Sequence, residues 1–296
     1  MREVVNDRRL LVPAGRRLPK NRPHEGSEKT NRDDALRPQK ARGSAGMVAE
    51  LCAAEETHWW YAGLQNLIAR IVRMPDCRLP ARPAVLDVGC GTGANLRLLG
   101  QCLSPAYLGG FDLRRDCVTR ARQKCPAAEV YVSDLRAPEM RQRRYDLVLC
   151  CDVISSIGLA QCRDGLRAIT SRLSPEGMLL VHVPACPRLL GTHDSAVGTV
   201  ERYRPDDLRS LLDELGLAPQ ILGYRMSLLF PAVAAVRLGR SCLSKRPNAR
   251  PRSDLRASGG IGSRVWRAIV AGENLATSRG FRWPIGSSLV AVARRA

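Results

Sequence analysis

The sequence predicts an α/β fold, an open and mostly parallel sheet covered by helices on both faces. Three observations predict it. Short runs of Val, Leu and Ile alternate with segments of helical period, the pattern of strands joined by crossover helices. One run, Ala84-Val85-Leu86-Asp87-Val88, leads directly into a glycine-rich turn and then a helix. The 296 residues are 45% hydrophobic, enough to bury a sizeable core, and with aromatics at only 4% the packing falls to Leu, Val, Ile and Ala.

Residues 1–46 are rich in Arg, Lys, Pro, Asn and Gly without apolar periodicity. Such a segment buries too little surface to offset its ordering entropy, so a disordered basic tail is expected, or else a chain whose true start is Met47. Residues 47–296 are expected to form one domain. From Met47 to Arg73, Leu64, Leu67, Ile68 and Ile71 recur at helical spacing behind Trp59, Trp60 and Tyr61. Strands are then expected at Ala84–Val88, Ala106–Phe111, Val130–Val132 and Tyr145–Cys151. The helices between them are Asn95–Leu103 and Arg114–Lys124, with another around Cys162–Leu173. Ser174-Pro175-Glu176-Gly177 reads as a turn feeding a strand from Met178 to Val183. Asp206–Leu215 reads as a helix, Pro219–Tyr224 as a strand, residues 226–285 as a basic helical elaboration, and Ser288–Ala293 as the last strand.

Lys and Arg total 47 against 28 acidic residues, a formal charge of +19. A field of that sign attracts nucleic acid, anionic lipid or acidic substrates. The excess is scattered Arg with no recognisable RNA-binding module or aromatic-interleaved patch, which favours a small-molecule partner and leaves nucleic acid as the alternative. The 11 cysteines include no Cys-x-x-Cys pair, so they read as reduced small hydrophobes of a cytoplasmic protein, with no metal site. No signal-peptide pattern and no membrane span is expected: the longest apolar candidate, Leu228 to Val236, is short and interrupted by Pro231.

The sharpest signal is Val85-Leu86-Asp87-Val88-Gly89-Cys90-Gly91-Thr92-Gly93. Missing side chains let the backbone approach a ligand, and the helix N-terminus offers free N–H groups. Gly89-x-Gly91-x-x-Ala94 also satisfies the dinucleotide fingerprint, in which that N-terminus holds a pyrophosphate. Asp87 separates the two chemistries: a carboxylate there is a poor neighbour for pyrophosphate and a good partner for the ammonium of a methionine moiety. An NAD-dependent oxidoreductase is accordingly disfavoured. Asp112, with Leu113 beside it, ends the second strand, where a carboxylate can accept both ribose hydroxyls. Asp134 follows the third strand and can accept from an adenine amino group, with the Leu135 backbone alongside. Leu113 or Ile154 could wall the adenine.

These residues resemble the Rossmann-like class I S-adenosylmethionine-dependent methyltransferases, in the group filed as methyltransferase types 11, 12 and 23. The likeness runs from about Glu55 to Arg295. It is carried by Glu56-x-His58-Trp59-Trp60-Tyr61, the glycine block, Tyr145-Asp146-Leu147-Val148-Leu149-x-x-Asp152-Val153 and Leu173-Ser174-Pro175-Glu176-Gly177. Val183-Pro184-Ala185, His193-Asp194, Arg202-Tyr203 and Pro284-Ile285-Gly286-Ser287-Ser288-Leu289 complete it. The resemblance implies a seven-stranded sheet with an antiparallel hairpin at one end, S-adenosylmethionine as cofactor, and Asp87, Gly89, Cys90, Gly91, Gly93, Asp112, Leu113, Asp134 and Leu135 around it. It also implies transfer of a methyl group to a small molecule. Three positions depart from the family: Leu64 stands where an Arg is usual, Ser155-Ser156 where Glu-His is usual, and Gly198-Thr199-Val200-Glu201 precedes Arg202-Tyr203 in place of Gly-His-x-Arg. These departures motivate a cofactor-binding protein without catalysis as one alternative, and the basic tail motivates an RNA methyltransferase as another.

Displacement at an activated methyl carbon needs alignment and exclusion of water, plus a base when the acceptor carries a proton. His193, expected in a loop after the fifth strand, and Asp152, at the ligand-facing end of the fourth, are the candidates. His193 could instead cap Asp194. His182, within a strand, reads as a core histidine. Trp59 and Trp60 could stack on an acceptor or pack in the core, and Arg202 and Tyr203 could bind an anionic acceptor or anchor their loop.

Overall fold

The computed structural model describes residues 44–243 and 261–295. Its sheet has seven strands: β1 (Ala84–Val88), β2 (Tyr107–Asp112), β3 (Glu129–Val132), β4 (Tyr145–Cys151), β5 (Leu173–Pro184), β6 (Leu217–Arg225) and β7 (Ser288–Arg295). They lie in the order β3-β2-β1-β4-β5-β7-β6, parallel except for β7, which is antiparallel to both β5 and β6. The strand order reverses between β1 and β4, and a crevice outside the carboxyl ends of the strands is the consequence.

The strands are apolar on both faces because helices cover both. Leu86, Val88, Leu179, Val181 and Val183 point into one layer, completed by Leu166 and Ile169 of α6 (Leu159–Thr170) and Leu208, Leu211 and Leu212 of α8 (Pro205–Glu214). Their neighbours Val85, Met178 and Leu180 point into the other. That layer is completed by Leu64, Leu67, Ile68 and Ile71 of α2 (Trp59–Ile71) and Leu99 of α3 (Ala94–Leu103). Alternate residues thus serve opposite cores, as a doubly covered strand requires. On α6 the absent side chain of Gly165 matters: a Cβ there would sit 1.6 Å from the Leu135 carbonyl oxygen.

Three local expectations are corrected, and the boundary of a fourth moves. The helix expected over Met47 to Arg73 is two, α1 (Ser44–Thr57) and α2. They break at His58, which is extended at ψ 132° and accepts the Trp60 N–H on Nδ1 at 3.2 Å, capping α2. Of the tail expected over residues 1–46, residues 1–43 lie outside the described part and 44–46 open α1. The helix expected to reach Leu173 ends at Thr170, and a one-turn helix α5 (Ile154–Ile157) precedes it. Ser174 to Gly177 is a bulge within β5: Tyr145 pairs with Leu173, and Leu147 pairs next with Met178. Ser174 donates its hydroxyl to the Tyr145 carbonyl at 2.9 Å, holding the extra residues against β4.

The remaining helices are α4 (Arg115–Lys124), α7 (Thr192–Val197), α9 (Phe230–Leu243) and α10 (Ile261–Ser278). The last two make the elaboration expected over 226–285, with residues 244–260 outside the described part. α10 packs on α2 where Asn274 donates to the Gly63 carbonyl at 2.8 Å. Among the described residues no helix is long and apolar enough to cross a membrane, and no cluster of His, Cys, Asp and Glu could hold a metal ion.

Gly165→Ala forces α6 off the Leu135 backbone. We expect a loss of about 3 kcal/mol, at the upper end of ordinary overpacking, and a Tm lower by roughly 6–12 °C. Thermal unfolding followed by circular dichroism checks this, and an unchanged Tm would refute the contact.

Candidate active site

A cavity of about 730 Å³ opens at the carboxyl ends of the strands. The turn after β1 forms its floor with Gly89, Cys90 and Gly91, and the segments after β2 and β3 add Asp112, Leu113, Asp134 and Leu135. Helices α1 and α2 roof it with Glu55, Trp59, Trp60, Tyr61 and Leu64. The far wall is Asp152, Ser156, His193 and Arg202, with Val233 and Val236 of α9 and Trp266 of α10.

The floor is built by conformation. Gly89 has φ 67° and Gly91 φ 54°, both in the left-handed region that a side chain disfavours. A Cβ on Gly89 would also lie 2.2 Å from Val153 Cγ2, so the turn is sealed against the segment after β4. Gly93 and Asp87 were expected with these residues but do not line the cavity. Gly93 lets α3 approach the Ala121 backbone of α4, where a Cβ would be 3.0 Å from Cα. Asp87 is buried behind the turn at 1% exposure.

Asp87 defines the electrostatics. One carboxylate oxygen, Oδ2, has no hydrogen-bond partner among the described residues. Burial, with repulsion from Glu55 and Asp112, pushes this carboxyl well above the usual range. Burial also raises Asp112, against the N–H groups that it accepts from Gly91 at 3.0 Å and Arg114 at 2.9 Å. Glu55 stands over the turn from α1, bonded to the Thr92 hydroxyl and to Lys124 Nζ at 3.3 Å. Three carboxylates around one turn, with one ammonium between them, welcome a cationic ligand and repel a pyrophosphate. The ammonium and sulfonium of S-adenosylmethionine fit this floor; a dinucleotide does not. Glu55 was missed in the sequence, where nothing distinguishes it from Glu56.

The other expected residues divide. Leu113 lines the cavity, whereas Ile154 does not: it is fully buried in the core. Asp134 is reached, but its carboxylate already accepts from Arg136 Nε at 2.9 Å. His193 lines the cavity from the short helix α7 and not from a loop, because the Asp194 carboxylate accepts the Gly191 N–H at 2.9 Å and starts a helical turn. Arg202 is a loop anchor: Nη2 donates to Asp194 at 2.7 Å and Nη1 to the Ala185 carbonyl at 2.7 Å. Tyr203 is a core residue that donates its hydroxyl to Glu201 at 2.8 Å, outside the cavity. Trp59 and Trp60 line the roof; Trp60 also stands edge-on to His182, ring centroids 5.6 Å apart.

Residues 85–177 match the model of a methyltransferase domain family. The chain is 31% identical over 132 residues to the biotin biosynthesis bifunctional protein BioCD of Bordetella avium, covering 44% of this chain and 28% of that protein. It is 32% identical over 126 residues to the dTDP-3-amino-3,6-dideoxy-alpha-D-glucopyranose N,N-dimethyltransferase of Streptomyces fradiae, covering 41% and 48%. The chain thus spans less than half the length of these curated relatives. Among solved structures, magnesium protoporphyrin IX methyltransferase of Synechocystis PCC 6803 superposes with a TM-score of 0.53 at 16% identity, over 86% of this chain and 95% of that one. Fold, match and floor chemistry agree: residues 85–177 are similar to a methyltransferase domain, set in the seven-stranded sheet of the class I methyltransferase fold.

Asp87→Asn removes a buried charge at nearly constant volume. A carboxyl raised by folding favours the folded state while protonated, and that contribution is lost as pH rises through the folded-state value. We therefore expect the ligand-free variant to melt about 2–6 °C above the wild type near pH 8, with the gap narrowing as pH falls and vanishing only around the unfolded carboxyl's own range, about pH 4. A lower Tm than wild type near pH 8 would show that Asp87 has a partner in the fold.

Proposed function

We propose that this chain is an S-adenosylmethionine-dependent methyltransferase acting on a small molecule. The observation that carries the reading is one cavity with two unlike ends, a carboxylate-rich glycine turn and a wall of aromatic, aliphatic and protonatable side chains. When bound, the cofactor supplies a methyl carbon already activated by its sulfonium. Glu55 and Asp112 would hold its cationic and ribose groups, with Asp87 adding its charge from behind the turn, and Leu113, Asp134 and Leu135 would border its adenine. Gly89, Cys90 and Gly91 give it close backbone contact, with Gly93 setting the helix behind them.

The chain's part in transfer is alignment and drying. Trp59, Trp60, Val233, Val236 and Trp266 enclose the acceptor, and the roof excludes water. These walls would set the acceptor's lone pair in line with the carbon–sulfur bond of the bound cofactor. His193 and Asp152 are the groups that take the acceptor's proton when it has one. A relative that dimethylates a nucleotide-linked amino sugar supports a small-molecule acceptor.

Methyl-labelled cofactor incubated with a panel of amines, phenols and alcohols tests the proposal. Label is expected in one such class. His193→Ala should lower turnover about a hundredfold, within the usual range for a general base, with S-adenosylhomocysteine affinity unchanged. Label found only in RNA would overturn the small-molecule reading, and unchanged turnover would remove His193 from it.

A further inference from the structure

A chain of buried polar groups crosses the sheet from α10 to the cavity wall, and the methyl-transfer chemistry above leaves most of it unexplained. Arg225, the last residue of β6, is 1% exposed. Its Nη1 lies 3.3 Å from Nε2 of His182, a residue of β5 with no exposure at all. His182 Nδ1 lies 3.1 Å from Asp152 Oδ2 and 3.2 Å from Oδ1. At the other end Glu273 of α10 accepts the Ser227 N–H at 2.9 Å and the Leu228 N–H at 3.2 Å, and its charge attracts Arg225. Arg225 has no further hydrogen-bond partner at Nε or Nη2 among the described residues. Burial lowers it to about 10, against attraction from Glu273, Asp152 and Cys151.

The direction of these bonds is fixed by what each group can do. A guanidinium only donates, so His182 Nε2 accepts and carries no proton. The ring proton is then on Nδ1 and is donated to Asp152, whose oxygens accept. Every link turns Asp152 the same way, as an acceptor with lone pairs left over. Its side chain is 33% exposed and lines the cavity. It stands one residue before Val153, which seals against Gly89. The backbone is committed as well: Asp152 holds φ 60°, a conformation costly for most residues and tolerated by Asp and Asn. A buried cation and histidine with no solvent contact are expensive to keep, and packing alone does not require them.

We propose that Asp152 is the group facing the acceptor's reacting N–H or O–H, and that Arg225 and His182 are positioning residues that aim its carboxylate at the point of methyl transfer. The inference rests on the cofactor reading above and narrows the acceptor to an amine or hydroxyl compound. As the acceptor forms its bond to the methyl carbon, its proton passes to Asp152, and S-adenosylhomocysteine and the methylated product remain. Glu273 balances the charge of Arg225, so the α9–α10 elaboration supplies the far end of the relay.

Sinefungin, which carries an amine-bearing carbon in place of the methyl-bearing sulfur, reports on this carboxylate without an acceptor. Calorimetry on the full chain should show it binding about tenfold more tightly than S-adenosylhomocysteine, as a charge-assisted hydrogen bond to Asp152 requires. Asp152→Asn, which keeps shape and φ, should erase that preference and leave S-adenosylhomocysteine affinity within about twofold, the bond's charge alone being lost. The double variant Arg225→Met with Glu273→Gln leaves no unpaired charge and should weaken the preference while the cofactor end still binds. Nitrogen-15 spectra of histidine-labelled protein, assigned with His182→Gln, should show the His182 proton on Nδ1 in wild type and lose that single tautomer in the double variant. A preference unmoved by Asp152→Asn, or a His182 proton on Nε2, overturns the inference. Binding of neither ligand overturns the cofactor reading on which it rests.

Discussion

The concentration of negative charge at one backbone turn is the constraint around which the rest of the domain is arranged. Asp87, Glu55 and Asp112 converge on Gly89 to Gly93, and an Asp87 oxygen is left without a partner. Desolvating carboxylates this way works against folding unless something cationic shares their space. Of these three carboxylates Lys124 pairs with Glu55, and it is shared with Glu56 at 3.6 Å. The turn therefore holds a destabilising feature that a positively charged ligand relieves, so ligand binding and domain stability are linked.

The surrounding elements follow from that turn. β1 brings Asp87 to the switch point of the sheet, β2 brings Asp112 beside it, and α1 lowers Glu55 onto Thr92. Helix α2 then runs down the sheet with its apolar stripe in the second core layer, and α10 locks it through Asn274. At the other end of the cavity, β4 stops at Cys151 and the left-handed Asp152 redirects the chain into α5. Two strand ends thus present two kinds of carboxylate, one group buried around the turn and one facing the cavity.

Much of this was legible in the sequence, for physical reasons that differ by element. β1, β4 and β7 were readable because strands buried on both faces are continuous apolar runs, Asp87 because it runs into the glycine block, and Asp112 because it ends the second strand. The break at His58 was not, since a side-chain cap replaces the Gly or Pro that usually marks a helix boundary. The fifth strand was half hidden, because Ser-Pro-Glu-Gly has turn composition whether it closes a loop or bulges a strand. Arg225 was illegible: an Arg at the end of a strand reads as an exposed edge, and the partners that go with its burial, Glu273, His182 and Asp152, lie far from it along the chain. Arg202 and Tyr203 were visible as a pair, but whether they face a ligand or hold a loop depends on Asp194 and Glu201, which only the fold brings to them.

We propose that the turn's carboxylates select a cationic adenosyl ligand over a dinucleotide. Calorimetric titration of the full chain with S-adenosylhomocysteine, with NAD and an Asp87→Ala variant as controls, tests it most directly. Micromolar binding of S-adenosylhomocysteine, lost in the variant and accompanied by no heat from NAD, is the predicted result. Binding of NAD, or S-adenosylhomocysteine affinity unchanged in Asp87→Ala, would contradict it.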